Sequence, residues 1–69
     1  MGRDRDMPIV EIHLLEGRNV EQKRKLAKEV TDAICRAVDV KPDAVRIIID
    51  DMPLTNFAVA GELRIDKKP

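Results

Sequence analysis

VRIIID, residues 45–50, sets three consecutive isoleucines between Pro42 and the aspartate pair Asp50 and Asp51. An unbroken β-branched run of this kind predicts a strand in a parallel or doubly covered sheet, because its side chains are apolar on both sides of the pleat. Its partner lies upstream. In PIVEIHLL, residues 8–15, Val10, Ile12 and Leu14 share one face while Glu11 and His13 take the other, the alternation of a half-covered strand. Between the two, Gly17 to Asn19 form a turn, and Asn19 with Gln22 three residues on makes a capping pair, Glu21 lying in the positive first turn. A helix is therefore expected from Val20 to about Asp39, with Leu26, Ala27, Val30, Ala33, Ile34, Ala37 and Val38 as its inward stripe. Pro42 forbids its continuation. Strand, helix and strand make a right-handed βαβ unit. After Pro53, LTNFAVAGEL (54–63) reads as a short β-hairpin or irregular arm ahead of the charged end at 66–69.

The bulk composition narrows the function. Thirteen basic and thirteen acidic side chains in 69 residues leave no net charge, so nucleic acid and anionic membranes are not expected partners. No apolar run approaches a membrane span, and the first residues lack the apolar core of a secretory signal. A cytoplasmic location is expected. Cys35 stands alone and forms neither an intrachain disulfide nor a cysteine metal cluster. A chain this short, without such staples, gains little from its own core, so self-association is the remaining source of stability. Two strands cannot both cover a helix and shield a sheet, and strands of a second subunit should extend them.

Taken singly, the candidate functional residues are ordinary. Arg18 sits in a turn, Arg46 interrupts an apolar strand, Phe57 is the single aromatic, and His13 lies on the half-polar face of the first strand. Asp50 and Asp51 resemble a paired carboxylate, but adjacent strand residues point to opposite faces and cannot share a proton. No metal-ligand spacing, phosphate loop or nucleophile-base pair is present. Met7 directly before Pro8 is the unusual feature. A proline at a chain terminus is a basic secondary amine, whereas an internal proline is an amide with no basicity.

Taken together, MPIV at 7–10, EIHLLEGR ending in Arg18, EQK opening the helix, VRIII with Arg46, and Phe57 ahead of Gly61, Glu62 and Leu63 closely resemble the 4-oxalocrotonate tautomerase family, from Pro8 to about Leu63. The resemblance implies an α+β subunit of β-α-β tautomerase fold with a C-terminal β-hairpin. Subunits would pair into four-stranded sheets and assemble as a homohexamer, a trimer of dimers, without a cofactor or a metal. Carried over residue by residue, it makes Pro8 the catalytic N-terminal proline, Arg18 and Arg46 the substrate-binding arginines contributed by different subunits, and Phe57 the aromatic wall. Residues 1–7 are then an N-terminal extension, and residues 8–69 the tautomerase domain.

The chemistry fits these residue types. Moving a proton between a dienol oxygen and a carbon requires a base whose conjugate acid then donates, titrating near neutrality. Desolvation beside Phe57 and nearby guanidinium charge both disfavour the ammonium form of a Pro8 amine. Arginine binds a carboxylate through its planar fork and stabilises charge growing on the 2-oxygen. The expected substrate is a small enol or dienol carboxylate of the 2-hydroxymuconate kind, ketonised with Pro8 as general base and acid and Arg46 sharing the catalytic role. Related dehalogenases carry a glutamate where this chain has Val59, so activation of water is disfavoured. The alternative is a non-catalytic oligomeric module of the same fold whose Pro8 is acylated by the extension. In the extended form Asp4 and Asp6 are the expected anchors of the arm, their carboxylates taking the sites of Arg18 or Arg46.

Overall fold

The computed structural model describes residues 7–67. Residues 1–6 of the extension, Asp4 and Asp6 among them, and the last two residues of the charged end lie outside the described residues. Two parallel strands, β1 (Ile9–Leu15) and β2 (Arg46–Met52), pair in register from Ile9 opposite Arg46 to Leu15 opposite Met52. Helix α1 (Val20–Val38) connects them and covers one face. A hairpin of two-residue strands, β3 (Ala58–Val59) and β4 (Glu62–Leu63), forms a separate small sheet, flanked by 3-10 turns at Leu54–Asn56 and Arg64–Asp66. The fold is the β-α-β arrangement with C-terminal hairpin that the sequence predicts.

The helix starts as its sequence dictates. Asn19 accepts from the Gln22 N–H at 2.8 Å, and the Gln22 side chain accepts from the Asn19 N–H at 2.9 Å, a complete capping box contributing about 1 kcal/mol. At the other end Asp39 adopts the left-handed conformation, φ 58°, and donates to the Cys35 carbonyl, which satisfies one of the last carbonyls. Pro42 opens a 3-10 turn over Pro42–Ala44 and leads directly into β2. No described helix is long and apolar enough to cross a membrane.

Two expectations need correction. The covered stripe of α1 keeps Leu26, Ala27, Val30 and Ile34 but also takes in Thr31 and Cys35, while Ala33, Ala37 and Val38 are exposed. The reason is width: strands about 4.8 Å apart underlie a helix about 10 Å across, so the flank and last turn overhang the sheet. Strand β2 also runs two residues past VRIIID, through Asp51 to Met52.

The uncovered sheet face accounts for the lack of a core among the described residues. None of the described residues is buried. Ile9, Glu11 and His13 of β1 and Arg46, Ile48 and Asp50 of β2 share the open face, and Ile9 and Ile48 are 64% and 51% exposed. Along the arm Phe57, Val59, Leu63 and Ile65 are exposed as well. Large apolar side chains are thus exposed both on the open face, among charged neighbours, and along the arm.

Candidate functional site

The parallel register gathers two of the four candidate residues at one end of the sheet. Pro8 immediately precedes β1, and its carbonyl accepts from the Arg46 N–H at 2.9 Å. The Arg46 guanidinium does not extend freely: its Nη1 donates to the Asp43 carbonyl at 2.7 Å, so the 3-10 turn before β2 directs it. That turn is itself closed by Ala44 donating to the Lys41 carbonyl and Val45 to the Pro42 carbonyl. The end of α1, the 3-10 turn and Arg46 line a cleft of about 700 Å³ with Met7, Val38, Lys41 and Asp43, and Pro8 is not among its lining residues. Lys41 and Asp43 have no periodicity or motif to announce them in the sequence. They join the cleft because the turn before β2 packs beside the first residue of β1.

The other two candidates lie at the opposite end. Arg18 follows β1 on an exposed turn that Gly17 makes possible with φ 126°, a backbone region open to glycine at no steric cost. It borders a cavity of about 240 Å³ with Leu14, Gln22, Lys23 and Leu26, and forms no ion pair among those of the described residues. Phe57 follows β2 and the 3-10 turn Leu54–Asn56, in extended conformation and 39% exposed. A seven-residue strand at about 3.3 Å per residue separates the two ends by about 20 Å. One protomer therefore does not bring Arg18 or Phe57 to Pro8.

Strand alternation sends the two aspartates apart. Asp51 pairs with Lys23 on the helix-covered side. Asp50 lies on the open face, where its Oδ2 is 3.1 Å from His13 Nδ1, and His13 Nε2 is 3.7 Å from Glu11. His13 thus lies between the carboxylates of Asp50, its partner in the ladder, and of Glu11, two residues earlier on β1. Among the described residues, no group of three or more His, Cys, Asp and Glu side chains is placed to hold a metal ion.

A contact that motif reading misses lies at the Arg18 end. The Glu16 N–H donates to the Met52 carbonyl at 2.8 Å, and its carboxylate accepts from the Leu54 N–H at 3.1 Å. The only signal for it is the register itself, which sets the end of β1 beside the end of β2.

The family model for tautomerase enzymes matches residues 8–66. A 2-hydroxymuconate tautomerase of Stutzerimonas stutzeri is 50% identical over 56 residues, covering 81% of this chain and 89% of that protein. Among solved structures, a 4-oxalocrotonate tautomerase isozyme of Methylibium petroleiphilum is 46% identical with a TM-score of 0.82, covering 84% of this chain and 91% of the other. A heterohexamer 4-oxalocrotonate tautomerase of Chloroflexus aurantiacus J-10-fl is 37% identical with a TM-score of 0.84, covering 90% of this chain and all of the other.

Proposed function

Because the chain belongs to the tautomerase family, we propose that it ketonises a 2-hydroxymuconate-like dienol, with Pro8 as a free N-terminal amine that takes the enol proton and returns it to carbon. The observation that supports this most is the register that joins Pro8 to Arg46 at one end and leaves Arg18 and Phe57 at the other. Two copies pairing the same sheet edge about a two-fold axis run antiparallel. Such pairing extends two strands to four and carries Arg18 and Phe57 of one copy to the Pro8 end of its partner. Each dimer then has two equivalent pockets, and neither copy has a complete one alone.

In that pocket the amine removes the O–H proton of the dienol, the electron pair moves through the conjugated system, and the ammonium delivers one proton to carbon. One O–H bond breaks, one C–H bond forms, and no redox change occurs. Arg46 stabilises the oxygen charge of the dienolate, where a pre-aimed donor is most effective. Arg18 holds a carboxylate at the far end of the substrate. Phe57 excludes water beside the amine and, with the guanidinium charges, favours its neutral form.

The open face with Ile9 and Ile48 and the apolar arm give each dimer further surface to cover, so we propose a homohexamer built as a trimer of dimers. The heterohexameric relative supports this assembly. Light scattering on the chain beginning at Pro8, coupled to an ultraviolet assay with 2-hydroxymuconate, tests both parts. A mass of six chains with turnover is expected. A stable monomer, or an assembled protein inert toward the enol, would contradict the reading.

A further inference from the structure

We propose that Glu16 is a positioning residue that clasps the chain on both sides of Pro53 and so fixes the direction in which the C-terminal arm carries Phe57. The proposal deepens the reading of Phe57 as a wall of the partner's pocket and rests on it for its catalytic consequence; the clasp itself does not.

Its geometry is defined by two bonds. The Glu16 N–H donates to the Met52 carbonyl at 2.8 Å, extending the β1–β2 ladder by one residue, and Glu16 Oε2 accepts from the Leu54 N–H at 3.1 Å. Pro53 stands between these two partners and has no N–H of its own, so the ladder cannot continue through it. Leu54 therefore supplies the first amide after the sheet ends. It opens the 3-10 turn Leu54–Asn56, whose preceding residue provides no side-chain cap. Glu16 supplies that missing acceptor from across the sheet.

The clasp matters because the arm has little else to direct it. Its principal contacts are internal, between its two 3-10 turns and its two short strands. Asn56 donates to the Pro53 carbonyl at 2.8 Å to close the first turn, Phe57 follows at once, and the Phe57 carbonyl accepts from the Arg64 N–H at 2.8 Å. A short bonded path thus runs from Glu16 to the aromatic ring. Glu16 is also two residues from Arg18, so one side chain ties together the turn and the arm that a partner copy would receive.

Glu16→Ala, Glu16→Asp and Glu16→Gln test it in the chain beginning at Pro8, by amide hydrogen exchange at Leu54 and by the pH profile of kcat/KM on 2-hydroxymuconate. Gln keeps an oxygen that reaches the Leu54 amide, whereas Asp keeps the charge but falls one methylene short. Ala and Asp should expose Leu54 to exchange and lower kcat/KM by about tenfold, the loss expected for one hydrogen bond to a charged acceptor. Gln should stay within about threefold by the same scale. Displacing Phe57 rehydrates the amine and favours its ammonium form, so the rising limb of the profile should move to higher pH in Ala and Asp but not in Gln. Should Ala fail to fold, the contrast between Asp and Gln decides. Unchanged Leu54 protection in Asp would refute the clasp. Equal losses in Gln and Asp would refute the positioning role, as would lost protection with an unmoved profile. If the unsubstituted chain is inert toward the enol, the functional reading fails, while exchange at Leu54 still upholds or refutes the clasp.

Discussion

The chain beginning at Pro8 should ketonise 2-hydroxymuconate about a thousandfold faster than the same chain with residues 1–7 attached, the middle of the range for positioned acid-base catalysis. The physical reason is categorical: acylation converts the secondary amine into an amide, and an amide nitrogen accepts no proton near neutral pH. Access should suffer too, since Met7 lines the cleft that contains Arg46. For the shorter form, kcat/KM should rise with pH as the Pro8 ammonium loses its proton, because only the neutral amine can act as base. Intact mass must be recorded before and after the assay, so that clipping during turnover is detected. Equal rates from the two forms, with the longer one still intact, would remove Pro8 from the mechanism and favour a module that binds carboxylates without catalysis.

Arg46→Ala should lower kcat/KM by about a hundredfold, chiefly through kcat, as the loss of one donor to a developing oxyanion does. Arg18→Ala should raise KM by about tenfold with a smaller effect on kcat, because it removes a carboxylate contact made in both ground and transition states. Arg46→Lys should recover little. One arm of the Arg46 fork is already committed to the Asp43 carbonyl, and a lysine holding that carbonyl would have no second planar edge to offer. Steady-state kinetics on assembled variants checks the division, and equal KM effects with unchanged kcat in both arginine variants would contradict it.

The elements that sequence reading located are those whose signals are local. Asn19 and Gln22 announce the start of α1, Pro42 forbids its extension, and the isoleucines of β2 and the alternation of β1 define the parallel pair. What depended on neighbours was harder to read. Ala33, Ala37 and Val38 follow the helical period but overhang a sheet only two strands wide, while the charged Asp51 continues β2 in register with Leu14 and meets Lys23 of the helix. The 3-10 turns of the arm have no periodicity to reveal them. At the candidate site, Pro8 and Arg46 were identifiable by type and are brought together by register, whereas Arg18 and Phe57 stand at the far end of the same protomer. Glu16, Lys41 and Asp43 were invisible because their contacts are set by how strand ends and turns meet in space.

The central claim is that a complete pocket takes Pro8 from one copy and Arg18 from another, and hybrid assembly measures this directly. The chain beginning at Pro8 with Arg18→Ala is unfolded together with the chain retaining residues 1–7, and the mixture is refolded and assayed below KM. The first contributes free Pro8 and no Arg18; the second contributes Arg18 and a blocked Pro8. Random pairing makes half of the dimers hybrid, each with one intact pocket of its two, so about a quarter of all sites should work at the full rate of the unsubstituted chain beginning at Pro8. Activity no greater than the sum of the two parents refolded separately would contradict a pocket shared between copies.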